Sequence, residues 1–161
     1  MANRDGSVVG APIDARAEII DVISAVTFHI DVMEFDVARS MYAPGATLSY
    51  KSLFGADSPP VAADQFWNHV LTFLPGLDRC FHQTTNFDIH VKGDTAKSRS
   101  MVYGCLRLGK ELWEQGGLYE HDLIRLTAGW RIRHQAFTQF WERGRDLSSE
   151  AAARLAARKK G

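Results

Sequence analysis

The chain has 161 residues, 45% of them hydrophobic and 24% charged, which suits one globular domain with a core of its own and no need of covalent staples. Lys plus Arg and Asp plus Glu both number 19, so no net charge favours a polyanion, and nucleic acid is excluded as an expected partner. Two cysteines, no export signal and no apolar run long enough to span a bilayer lead to the expectation of a cytoplasmic protein away from membranes.

Residues 1–12 carry Gly and Ser without periodicity and read as a flexible arm. Pro12 and Asp14 then mark a helix start, with Asp14 as N-cap. Ile19, Ile23, Val26, Ile30 and Met33 recur at helical spacing and form a buried stripe. The neighbouring row, Ile20, Ser24, Thr27 and Asp31, turns small and polar toward its end. A carboxylate half inside an apolar face is an expensive placement, which singles out Asp31.

A short helix is expected at 35–43, stopped by Pro44-Gly45, then a strand over ATLSYK and a loop over LFGADSPP. Residues 61–74 read as a third helix bearing Phe66, Trp67, Val70 and Phe73. From residue 80 the period becomes two. On the strand at 80–91, His82, Thr84, Asn86, Asp88 and His90 share one face, and Phe81, Phe87, Ile89 and Val91 the other. Lys92-Gly93-Asp94 turns into a strand at 95–108. A loop over 109–116, strands at 117–127 and 130–141, and an exposed helical tail at 145–161, capped by Ser148 or Ser149, complete the chain. Helices first and an antiparallel meander last give an α+β domain over 13–144. Its curved, mostly antiparallel sheet forms a cone-shaped pocket closed by the N-terminal helices.

Four pieces in this order, IDVMEFDVARSMYAPGA at 30–46, FHQTTNF at 81–87, VKGDTAKSRS at 91–100 and GLYEHDLIRLTAGWRI at 117–132, resemble the SnoaL-like branch of the nuclear-transport-factor-two-like superfamily. That branch includes scytalone dehydratase, bile-acid dehydratase and hexachlorocyclohexane dehydrochlorinase types. The resemblance covers roughly residues 13–143. By position it implies that Asp31 and His82 form a catalytic dyad. A tyrosine that such enzymes often carry five residues before the aspartate is Val26 here, so another hydroxyl must serve.

The chemistry of such a pair is clear. A neutral imidazole, with an ordinary pKa of about 6.5, is a good base near neutrality. A carboxylate on one ring nitrogen fixes the tautomer and frees the other nitrogen for a proton. Removal of a proton from carbon, followed by elimination or isomerisation, is the reaction class this suits. Against this, a strand histidine often only satisfies a backbone carbonyl, and a helix-end aspartate often caps the next helix. Tyr50, Tyr103 or Tyr119 could supply the hydroxyl, Tyr50 and Tyr119 being preferred, and each is more often a packing residue. Thr27, Phe54, Trp67, Asn86 and Tyr103 are the candidate substrate contacts, the aromatic ones suiting an aromatic or polycyclic compound.

No pair of histidines sits at metal-ligand spacing and no phosphate or dinucleotide loop is present, so no metal and no cofactor is expected. The expected function is a cofactor-independent lyase or isomerase, dehydration first, with retro-aldol cleavage or hydrolysis open to the same base. The alternative is a non-catalytic binding or assembly module like the β subunits of ring-hydroxylating dioxygenases. A homo-oligomer is expected, trimer before dimer, through a sheet face bearing Met101, Phe137 and Trp141.

Overall fold

A computed structural model describes residues 14–160; the expected arm at 1–12, with Pro12, lies outside them. The first helix, α1 (Ala15–Asp31), starts where Asp14 accepts a hydrogen bond from the Ala17 N–H at 2.8 Å and satisfies an otherwise orphaned donor. Ile19, Ile23 and Val26 are buried along it as their spacing requires. The helix closes in a Schellman turn, the Glu34 N–H bonding the His29 carbonyl and the Met33 N–H that of Ile30. Met33 therefore holds the left-handed position, φ 63°, that glycine usually fills. That turn fixes Asp31 as the last helical residue.

Helix α2 is Phe35–Ser40, shorter than expected, because the chain extends into strand β1 at Tyr42–Tyr50 through Pro44-Gly45. The proline is tolerated because the register of β1 shifts between Tyr42 and Thr47. A four-residue helix, α3 (Lys51–Phe54), spans the end of the expected strand and the start of the expected loop, and a two-residue strand, β2 (Val61–Ala62), takes the first two residues of the expected third helix. Helix α4 is Ala63–Val70; residues 71–73, expected to continue it, are a turn, and a 3₁₀ turn follows at Leu74–Gly76.

Strands β3 (Arg79–Lys92), β4 (Thr95–Leu108), β5 (Glu111–Leu126) and β6 (Gly129–Gly144) form the meander. The sheet order is β2-β1-β6-β5-β4-β3, antiparallel except for the β1–β6 pair, and it is open rather than closed. The loop expected at 109–116 is a tight turn at Gly109, with β5 starting at Glu111. Gly116 and Gly117 are strand residues, not breakers: a Cβ on Gly116 would meet the Trp141 ring at 2.3 Å, and one on Gly117 the Thr138 carbonyl at 2.2 Å.

Helix α5 (Ser148–Arg158) is started by Asp146, whose carboxylate accepts the Ser148 N–H at 2.7 Å, and not by Ser148 or Ser149. Nor is it wholly exposed. Leu147 and Ala151 are fully buried, and Arg154 bonds Asp78 at 2.6 Å.

The concave face of the sheet carries the core. One cluster packs α1 on Leu123, Trp130 and Ile132; another gathers α4, the 3₁₀ turn and α5 around Trp67 and Leu74. Three interruptions of register decide which residues face inward. In β3 the register shifts between Thr85 and Asp88, where Asn86 adopts φ 56°. His82 and Thr84 therefore face the core before the bulge, and Phe87 and Ile89 after it. In β6, Arg133 and Phe140 are skipped in pairing with β5, which leaves Trp130, Ile132, Gln135 and Phe137 inward. Among the described residues no helix is long and apolar enough to cross a membrane.

Candidate active site

Asp31, at the end of α1, reaches the open edge of β3. One carboxylate oxygen accepts the His82 backbone N–H at 2.7 Å and the other meets His82 Nδ1 at 2.6 Å. An edge strand leaves such N–H groups without a ladder partner, and the carboxylate takes that place. An ionised carboxylate only accepts, so Nδ1 carries the proton and Nε2 presents its lone pair. Both bonds are charge-assisted and both side chains are only 16% exposed, so the imidazole is held at one position and in one tautomer.

His82 lines a cavity of about 110 Å³ between the sheet and the helices. Its walls are mainly apolar, with Ile30, Phe66, Val102, Trp113 and Phe137 among them; Tyr50, Tyr119, Ser52 and Gln115 supply polar groups. An apolar cavity of roughly 150 Å³ takes up benzene, so the space suits one ring rather than a fused system. Gly104, opposite His82 in the β3–β4 ladder, leaves the imidazole edge open. A Cβ there would lie 3.2 Å from Cδ2 and 3.5 Å from Nε2.

At the floor of the cavity three polar side chains are tied together. The Tyr42 hydroxyl donates to Gln135 Oε1, and Gln135 Nε2 donates to the Tyr50 hydroxyl, both at 2.5 Å. Tyr119 stands beside Tyr50, with ring centroids 6.4 Å apart. Burial raises the pKa of all three phenols, so each is a proton donor at neutral pH. For Tyr119 the Asp31 charge adds to the rise, which ties this end of the site to the dyad. Below it, His121 is fully buried with no hydrogen-bond partner at Nδ1; desolvation drives its pKa down to about 3 and keeps it neutral. Cys80, pushed up to about 12 by burial and then by Asp31, is a protonated thiol and no nucleophile.

Of the expected site residues, Asp31, His82, Tyr50 and Tyr119 come together. The others do not line the cavity. Thr27 is buried and spends its hydroxyl on the Ser24 carbonyl at 3.0 Å. Trp67 lies in the core against Tyr42 and Phe66, and Phe54 packs on the outer side of Phe66. Asn86 is exposed at the bulge, which removes it from the His82 face. Tyr103 stands on the convex face, bonded to Glu114 at 2.8 Å and beside Trp141. Phe137, expected at an oligomer interface, faces the cavity instead.

Residues missed from the sequence are Gly104, Gln115, Gln135 and Tyr42. A glycine inside a strand pattern is a signal of close approach, so Gly104 was readable; Gln135 lies beyond a bulge that hides its face. Among the described residues no three His, Cys, Asp or Glu side chains converge to hold a metal ion.

Comparison with known proteins agrees with this architecture. The chain is 28% identical over 136 residues to the uncharacterized protein Rv2910c of Mycobacterium tuberculosis, covering 83% of this chain and 90% of that one. The crystal structure of the Kfla4162 protein from Kribbella flavida superimposes with a TM-score of 0.72 at 21% identity, covering 86% of this chain and 97% of that one. The hexachlorocyclohexane dehydrochlorinase LinA-type3 from Novosphingobium barchaimii LL02 gives 0.66 at 17% identity, over 81% of this chain and 90% of that one. At these identities the two structures speak for the fold alone. The SnoaL-like domain profile matches residues 11–136, most of the chain. With the cone-like α+β fold, that match makes the protein a member of the SnoaL-like family, within the nuclear-transport-factor-two-like superfamily.

Proposed function

We propose that this chain is a cofactor-independent lyase or isomerase that removes a proton from carbon in a small, single-ring hydrophobic compound. The observation that carries the reading is the double grip of Asp31 on His82, through the ring and the backbone, which leaves Nε2 as a free base on an apolar cavity. His82 takes the proton, Asp31 holds the tautomer and balances the imidazolium, and Tyr119 with Tyr50 donates to the oxygen on which charge develops. The same imidazolium can return its proton to a leaving hydroxyl, which makes dehydration the first choice of outcome. A dehydrochlorinase among the solved structures of this fold supports elimination as chemistry the fold accommodates.

The test needs no knowledge of the natural substrate. Single-ring ketones with exchangeable α-hydrogens are incubated in D₂O and deuterium uptake is followed by NMR. The wild type is expected to accelerate uptake, and His82→Gln to lose about 10²- to 10⁴-fold. In Asp31→Asn, ¹⁵N spectra are expected to record loss of the single Nδ1–H tautomer of His82. Uptake no faster than buffer across the ketones would sink the lyase reading.

The assembly-module reading has one observation in its favour: Phe81, Met101, Phe140 and Trp141 stand exposed. We take these residues as a surface for self-association, trimer before dimer, in a cytoplasmic enzyme. Sedimentation of wild type and Trp141→Ser tests it, and a wild type that sediments as a monomer removes it.

A further inference from the structure

Gly104 has no conformational need to be a glycine. Its φ is not positive, and the ladder runs through it without a shift, from His82 on β3 to Gln115 on β5. Directly paired residues point to the same face, so His82, Gly104 and Gln115 form one inward row. Among the described residues, its chain neighbours aside, only two atoms come within 4 Å of the place a Gly104 Cβ would take. They are Cδ2 and Nε2 of His82, at 3.2 and 3.5 Å. The imidazole thus leans over the glycine, and the space on the Gln115 side is open. Val102 and Leu106, two residues either way along β4, close the ends of this slot and line the cavity with Gln115.

The amide of Gln115 is the polar group on the far wall of the slot. It forms no hydrogen bond with another described residue, and Glu142, its neighbour on β6, is taken by Trp113 Nε1 and Gln139 Nε2 at 3.3 and 3.1 Å. The other polar groups of the cavity lie elsewhere. Tyr50 accepts from Gln135, Ser52 is exposed on α3, and Tyr119 is four residues further along β5, about 13 Å at the backbone. A side-chain amide both donates and accepts, and a hydroxyl is the small group that answers both. Among the described residues no Lys, Arg, Asp or Glu lines the cavity, so no fixed charge is there to hold a carboxylate or an amine. We propose that Gln115 determines the specificity of the site by binding a hydroxyl on the substrate ring, across Gly104 from His82, so that the cavity takes uncharged hydroxylated rings. The catalytic meaning of this hydroxyl site rests on the proposed function. As His82 removes a proton from carbon, the electron pair forms the C=C bond and the C–O bond breaks; the oxygen held at Gln115 takes the imidazolium proton and leaves as water.

The probes are phenol, toluene and benzoate, each a single ring with one small substituent, bound to the full-length protein at pH 7 and measured by calorimetry. The phenol-to-toluene affinity ratio is expected to fall about five- to tenfold in Gln115→Met, which keeps the length of the side chain and removes its hydrogen bonds. Benzoate should bind more weakly than phenol. In wild type, the side-chain NH₂ signals of Gln115 in ¹H–¹⁵N spectra should move further with phenol than with toluene. That measurement decides the matter even where Gln115→Met does not fold. A wild type that does not bind phenol overturns the proposal, as does an equal ratio in wild type and Gln115→Met. So do amide signals that move no further with phenol than with toluene. Benzoate binding more tightly than phenol overturns the uncharged class. If the ratio depends on Gln115 but no ketone undergoes α-deuterium exchange, the hydroxyl site stands and the lyase reading falls. Exchange with a ratio indifferent to Gln115 has the opposite meaning.

Discussion

Two histidines on the same concave face have opposite surroundings. His82 has a carboxylate on Nδ1, a backbone N–H held by the same carboxylate, and 16% of its side chain open to the cavity and solvent. His121 lies further in on β5, 3% exposed, with Nδ1 unpartnered and its pKa driven down to about 3 by burial. Proton transfer needs an imidazole that can bear charge, and a low-dielectric site denies that charge unless an anion is supplied. An inward-facing histidine is therefore not in itself a sign of catalysis. The carboxylate beside it is.

The sharpest break in the comparison is a pair of substitutions with separate effects. His82→Gln is expected to abolish α-deuterium exchange by about 10²- to 10⁴-fold, whereas His121→Leu should leave exchange within a few-fold. Gly104→Ala comes next. Its methyl, 3.2 Å from the His82 ring, pushes the base out of line and is expected to cost up to about 10²-fold in exchange with little change in melting temperature.

The third effect is on stability, and its sign follows from His121 alone. A folded pKa of about 3 against an ordinary 6.5 means that the unfolded chain binds the extra proton between those values. Stability contributed in this way is constant above about pH 6.5 and falls toward pH 3, by up to about 1.4 kcal/mol per pH unit. Urea denaturation at pH 7 and pH 5 should reveal that slope in wild type, and a shallower one in His121→Leu. An unchanged slope would mean that His121 finds a charge partner. The smallest effect is expected at the β3 bulge. Asn86→Gly removes a left-handed non-glycine residue but adds chain freedom, so a change within about 1 kcal/mol is expected.

Much of this contrast was legible in the residues. The stripe Ile19, Ile23 and Val26 and the polar shoulder ending at Asp31 specified both the helix and its odd carboxylate, because a helix repeats its face without interruption. Strands are less forgiving, since one bulge reverses every later assignment. Parity placed His82 correctly and then failed at Asn86, and Phe137, expected on an interface face of the sheet, turns inward because residues of β6 drop out of pairing. Gly116 read as the end of a loop for a related reason. Its absent side chain answers to Trp141, and that of Gly117 beside it to Thr138, neighbours that only the folded sheet supplies. Gln135 was hidden altogether, because its partners, Tyr42 and Tyr50, lie 93 and 85 residues away in the chain.

That distance has a consequence for how the protein is made. The parallel β1–β6 pair joins the strand Tyr42–Tyr50 to one synthesised after four others. Asp31 and His82 leave the ribosome well before Gln135 and Phe137, so the two partners of the dyad exist for some time without the floor of their cup. Closing so long a loop is entropically costly and slow, and in the interval the apolar faces of α1 and β3 are uncovered. The last strand to emerge is thus the one that turns a set of exposed hairpins and helices into an enclosed site.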